Sequence, residues 1–215
     1  MASTPDLFLT RRTLIAAGLS SLAAGPALAL GGRIVTILGD SITAGLGLPA
    51  AQALPAQLQQ ALAATGTPAV VRGAGVSGDT TAGGLARVNF SVQADTDVCV
   101  VALGGNDLLQ GLDPKTTRAN LDAIVRRLKA RRIGVVIAGM TAPAAIGAGY
   151  VRDFDAVFPA VARAEGVGLY PNLLAGVGQT PGLNQRDGIH PNAQGVRIIA
   201  ARLAPVVARA LRARR

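Results

Sequence analysis

The stretch RIVTILGDSITAGLG, residues 33–47, decides how the rest of the chain is read. Residues 33–38 are mostly β-branched or apolar, the composition of a buried strand. They run straight into a corner made by Gly39, Asp40 and Ser41, and glycine returns at Gly45 and Gly47. A strand ending in such a corner is the start of a β-then-α unit. The small hydroxyl at its tip would suit a phosphate cradle, a metal-phosphate site or a nucleophile.

Working outward, short apolar runs at residues 69–71, 98–103, 134–139 and, more weakly, 167–170 alternate with longer amphipathic segments. This alternation predicts a parallel sheet of about five strands covered by helices. Residues 114–132 place Leu121, Ile124, Val125 and Leu128 on one face of a helix and most of their charges on the other. The last segment repeats the pattern with Val196, Ile199, Leu203, Val207 and Leu211, with a kink expected at Pro205. With no repeat, no low-complexity linker and no composition break after residue 30, residues 30–215 read as a single open α/β domain.

Composition narrows the function. Half of the 215 residues are apolar and 15% are charged, enough for one proper core. The formal charge of +9 comes from arginines scattered along helices without interleaved aromatics, which reads as solvated helix faces rather than a nucleic-acid site. Cys99 is the only cysteine and sits in an apolar run, as a buried core thiol would. His190 is the only histidine, so a zinc site of the usual His and Cys type cannot be assembled.

The amino terminus has its own signature. Arg11 and Arg12 precede a moderately apolar run that ends in Ala27, Leu28 and Ala29. This predicts a twin-arginine export signal over residues 1–29, removed to leave a periplasmic or secreted protein without stable membrane insertion. An uncleaved anchor is the competing reading.

In open parallel sheets, ligands bind beyond the carboxyl ends of the strands. The clusters GDS, GAGVSGDT and GGND are expected there, after the first, second and third strands. GDSITAG has no lysine to hold a terminal phosphate, which removes the P-loop. GAGVSG at residues 73–78 has dinucleotide-type glycine spacing, but the acids about twenty positions on, Asp95 and Asp97, precede a strand instead of ending one. Asp40, Asp79 and Asp107 could meet around magnesium, yet aspartates at such corners more often order turns and cap helices.

The nucleophile reading gains from RDGIHPN at residues 186–192. Asp187 and His190 stand three apart, close enough for the carboxylate to bind Nδ1 and turn Nε2 outward toward Ser41. Acyl transfer also needs donors for the developing oxyanion, and the N–H groups of Ser41 and Gly78 with the Asn106 side-chain amide are placed to supply them.

Four blocks thus stand in order: Gly39-Asp40-Ser41, Gly78 in VSGDT, Gly104-Gly105-Asn106-Asp107, and Asp187 to His190. Together they resemble the SGNH (GDSL) hydrolases, and VSGDTTAGGLAR and GGNDLLQGL look most like the thioesterase I, lysophospholipase and arylesterase branch. The resemblance implies a flavodoxin-like three-layer α/β/α sandwich without metal or cofactor, and hydrolysis of carboxylic or thioester bonds through an acyl-serine. By it Ser41 is the nucleophile, His190 the base and then the acid, Asp187 its orienting carboxylate, with Ser41, Gly78 and Asn106 as the oxyanion hole. Gly73 stands where this branch commonly carries Asn, which bears on that loop's internal hydrogen bonding. The loop at residues 140–150, rich in small apolar residues, suggests an accessible groove for short to medium acyl or aryl esters, thioesters and lysophospholipids. The rivals are a carbohydrate O-acetylesterase on the same fold and a non-catalytic binding protein.

Overall fold

The computed structural model describes residues 1, 2 and 32–214. The chain divides into two units, Met1–Leu30 and Gly31–Arg215, and every element below belongs to the second. The expected export signal, beyond its first two residues, lies outside the described residues.

The elements run β1 (Arg33–Gly39), α1 (Ser41–Ala44), α2 (Leu54–Ala64), β2 (Ala69–Gly75), α3 (Thr81–Ser91), β3 (Val98–Ala102), α4 (Gly105–Leu109), α5 (Pro114–Ala130), β4 (Gly134–Ala138), α6 (Ala148–Asp155), α7 (Val157–Glu165), β5 (Gly168–Tyr170) and α8 (Ala193–Arg212). The five strands are all parallel, in the order β2-β1-β3-β4-β5. The order reverses between β1 and β3, and a crevice opens at such a switch point outside the strands' carboxyl ends.

Strand residues alternate between two cores, because successive side chains leave a strand on opposite faces. On one face Val35, Ile37, Val98, Val100 and Val136 pack with Leu58 of α2 and with Val196, Ile199, Leu203, Val207 and Leu211 of α8. On the other, Leu38, Cys99, Val101 and Ile137 pack with Leu121, Ile124, Val125 and Leu128 of α5 and Phe158 of α7. Each such aliphatic side chain stabilises the fold by about 1.5–3 kcal/mol relative to exposure. Both sides of the sheet are covered, which makes this unit a three-layer sandwich. Cys99 is fully buried, and desolvation pushes its thiol up to about 12.

The long helices start where their caps dictate. Asp113 accepts from the Lys115 N–H ahead of Pro114, and Asn192 accepts from the Gln194 and Gly195 N–H groups to open α8. α8 continues through Pro205, which lies on the exposed face beside exposed Ala201, so water can take the carbonyl that proline leaves unbonded.

One expectation needs correcting. β2 extends past Val71 to Gly75, in register with β1 up to the Gly39–Gly75 pair. The glycines there are strand residues that let the neighbouring segment approach. A Cβ on Gly73 would lie 2.8 Å from Pro55 Cγ, and one on Gly75 would lie 2.3 Å from the Ala44 backbone nitrogen. The dinucleotide-like spacing of GAGVSG is therefore a record of close packing, and the polar turn begins only at Val76.

Candidate active site

Ser41 owes its position to the corner before it. Gly39 carries no Cβ because one would lie 2.1 Å from Thr43 Oγ1 and 2.9 Å from the Ala102 carbonyl oxygen, so α1 can fold back over the ends of β1 and β2 while β3 runs close alongside β1. Asp40 caps α1, its Oδ1 accepting from the Ile42 N–H at 3.0 Å. Ser41 follows at the first helical position, only 8% exposed, with its backbone N–H among the unbonded donors of the helix start.

The imidazole arrives on a tight hairpin from the far end of the chain. Asn184 and Pro191 form an antiparallel bridge, and the Gln185 N–H donates to the His190 carbonyl at 2.8 Å. Between them Gly188 takes φ +71°, a left-handed turn that costs glycine little. Asp187 Oδ1 accepts from the Ile189 and His190 N–H groups at 2.9 and 3.0 Å, and Oδ2 lies 2.7 Å from His190 Nδ1. The His190 N–H, the ring N–H and the Ile189 N–H together hold the Asp187 carboxyl down to about 2. A carboxylate that stays ionised makes Nδ1 the donor and leaves the Nε2 lone pair outward. That nitrogen lies 2.8 Å from Ser41 Oγ.

The hairpin is tied to the nucleophile's own segment. Gln185 Nε2 donates to the carbonyl of Leu46 at 2.8 Å and to that of Pro191 at 3.1 Å. Gly47 makes room, because a Cβ there would lie 2.2 Å from Gln185 Oε1.

Gly78, at φ +84°, occupies the turn after β2, where the Asp79 N–H donates to the Val76 carbonyl. Asn106 is the second residue of α4. Its Nδ2 donates to the Asp79 carbonyl at 2.8 Å and otherwise has only a 3.5 Å contact with Asp40 Oδ2. An amide has two N–H donors, so the second is weakly engaged. Ser41, Gly78, Asn106 and His190 line one groove of about 460 Å³, along with Leu46, Leu109, Met140, Ala142 and Ile189. All five residues singled out from the sequence meet at this groove or directly behind it. The loop expected to shape it does so through Met140, Thr141, Ala142 and Pro143.

The three aspartates considered for magnesium have separate partners. Asp40 caps α1, Asp79 pairs with Arg87 at 2.6 Å, and Asp107 accepts from the Thr81 N–H at 2.8 Å and from the Thr81 and Thr117 hydroxyls. Among the described residues no group of three His, Cys, Asp or Glu side chains is arranged to hold a metal.

Sequence reasoning missed Gln185 and Arg87. Each acts by reaching a backbone carbonyl far away in the chain, Leu46 for one and Gly39 for the other; Arg87 closes the block VSGDTTAGGLAR, but nothing local in either residue's surroundings names the distant carbonyl it reaches.

Residues 37–198 match the model of the GDSL-like Lipase/Acylhydrolase family. The esterase TesA of Pseudomonas aeruginosa is 40% identical over 160 residues, which cover 74% of this chain and 80% of that protein. The thioesterase 1/protease 1/lysophospholipase L1 of Escherichia coli K12 is 34% identical over 197 residues, covering 91% of this chain and 87% of that one. A crystal structure of TesA superposes with a TM-score of 0.76 at 36% identity, over 81% of this chain and 98% of that structure.

Proposed function

Because the chain belongs to the GDSL-like lipase/acylhydrolase family and is a carboxylic-ester hydrolase, we propose that Ser41 is its nucleophile, His190 its general base and acid, and Asp187 the carboxylate that orients the ring. The observation that carries this reading is the unbroken relay from Asp187 through His190 to Ser41, opening onto an apolar groove.

His190 Nε2 takes the Ser41 hydroxyl proton as Oγ attacks the ester carbonyl carbon. The carbonyl oxygen, now an anion, is received by the N–H groups of Ser41 and Gly78 and the weakly engaged N–H of Asn106. Each donor is typically worth about 3–4 kcal/mol in the transition state. The imidazolium returns its proton to the leaving alcohol or thiol oxygen or sulfur, releasing it and leaving an acyl-serine. Water then repeats the sequence, freeing the carboxylic acid and the hydroxyl. Asp187 stays ionised throughout, its carboxyl held near 2 by its N–H donors.

The groove supports short to medium acyl or aryl esters, with thioesters and lysophospholipids in the same range, because Leu46, Leu109, Met140 and Ile189 offer apolar surface beside the nucleophile. We also propose that residues 1–29 direct export and are removed, on the strength of Arg11, Arg12 and the Ala27-Leu28-Ala29 end.

A fluorophosphonate probe, followed by a series of nitrophenyl and acyl-CoA esters of rising chain length, tests the reading. Labelling of the wild type at Ser41, its loss in Ser41→Ala and turnover of the simple esters are expected. Turnover of acetylated sugars alone would replace this reading with a carbohydrate O-acetylesterase.

A further inference from the structure

We propose that Arg87, on α3 and outside the groove, is a positioning residue that sets the oxyanion donors against the nucleophile. The inference rests on the serine mechanism above and adds a device to it.

The guanidinium of Arg87 spends its donors on three separate segments. Its Nη2 donates to the Gly39 carbonyl at 2.8 Å, two residues before Ser41. Its Nη1 donates to the Ala74 carbonyl at 2.9 Å, at the end of β2, and also to Ser91 Oγ at 3.2 Å. Its Nε donates to Asp79 Oδ2 at 2.6 Å, one residue past Gly78. The two charged side chains are only 17% and 15% exposed, so solvent screens their attraction little.

These bonds lead to the donors on both sides of the reacting carbonyl. The Gly39 carbonyl also accepts from the Val76 N–H at 3.0 Å, which fastens the turn carrying Gly78 to the end of β1. Asp79, held by its carboxylate, offers its own carbonyl to Asn106 Nδ2 at 2.8 Å. One planar cation therefore links the strand end leading to Ser41, the turn of Gly78 and the amide of Asn106. Gly83 is required by the same arrangement, because a Cβ there would lie 2.2 Å from Asp79 Oδ1. Lysine would keep the charge of Arg87 but not the fork, and its single nitrogen could not reach the four acceptors now served by three separate nitrogens.

Donors that move by a fraction of an ångström lose transition-state stabilisation while ground-state binding is spared. In Arg87→Lys, kcat per active site, counted by stoichiometric phosphonylation, is expected to fall roughly 10- to 100-fold with KM within about twofold. Affinity for an alkylboronic acid, which becomes a tetrahedral anion on Ser41, should weaken by the same factor. His190 is the only histidine, so its imidazole proton resonances are unambiguous, and they should stay at their wild-type positions. Asp79→Asn, which keeps the shape and removes the charge, should shift kcat and boronate affinity in the same direction by several-fold. It serves as the reporter should Arg87→Lys fail to fold.

Wild-type kcat per titrated site, or a fall in kcat with boronate affinity unchanged, would overturn the inference while leaving the serine mechanism standing. Absence of phosphonylation in the wild type itself would instead bring down the mechanism and this inference together.

Discussion

Asp40 shows how much a single buried carboxylate can ask of its surroundings. It is 5% exposed, and desolvation pushes its carboxyl up to about 6, against the pull of the Ile42 N–H and of His190. A folded value above the unfolded one means the native state keeps its proton longer. Stability is therefore highest below about pH 4 as far as this group is concerned, and it declines as pH rises toward 6, by up to about 3 kcal/mol. Asp40→Asn still accepts from the Ile42 N–H but cannot ionise. Urea unfolding from pH 4 to 7 should show this decline in the wild type and a flatter profile in the variant; parallel profiles would contradict it. Asp187 runs the other way. Its carboxyl, held down to about 2, contributes stability that is present above about pH 4 and lost as pH falls toward 2. At this scale Ser41, Asp187 and His190 were legible, since a unique histidine three places after an aspartate leaves few partners to choose from. The burial of Asp40 was not, because it depends on which segments close over the corner.

Among the elements, the hairpin that delivers His190 is tied to the nucleophile's segment by Gln185. Gln185 Nε2 bridges Leu46 on the nucleophile's segment to Pro191 beside the imidazole. Gln185→Met keeps the bulk and loses both bonds. It should lower kcat roughly tenfold, as a base displaced by a fraction of an ångström would. The downfield Nδ1 proton of His190 should persist, because Asp187 travels on the same hairpin; steady-state kinetics and a proton spectrum check the two halves of this expectation. Unchanged kcat would reduce Gln185 to a structural tie. α5 and α8 were readable in advance because their buried positions recur every three to four residues, and Leu121, Ile124, Leu203 and Val207 all face the sheet. The sequence pattern ends β2 at Val71, four residues short, because Gly73 and Gly75 lack strand propensity. Their reason lies in Pro55 and Ala44, which press on the strand from another part of the chain.

For the molecule as a whole, the proposed export signal predicts a mature chain beginning at Leu30. Intact mass of the exported protein should lack residues 1–29, and replacing Arg11 and Arg12 with lysine should leave the protein inside the cell. An exported chain of full mass would favour the anchor reading instead. The globular part is a sheet covered on both faces, with its site at the point where strand order reverses between β1 and β3. The class of this fold, its strand-and-helix alternation and its chemical blocks were determined by the sequence alone, because hydrophobic period and glycine-marked corners are local properties. Only the tertiary structure decided that Ser41 and His190, 149 positions apart, meet at 2.8 Å, and that Arg87 binds a carbonyl 48 positions before it. Such contacts form when packed layers bring distant strand ends together, and no short window of residues encodes the distance between them.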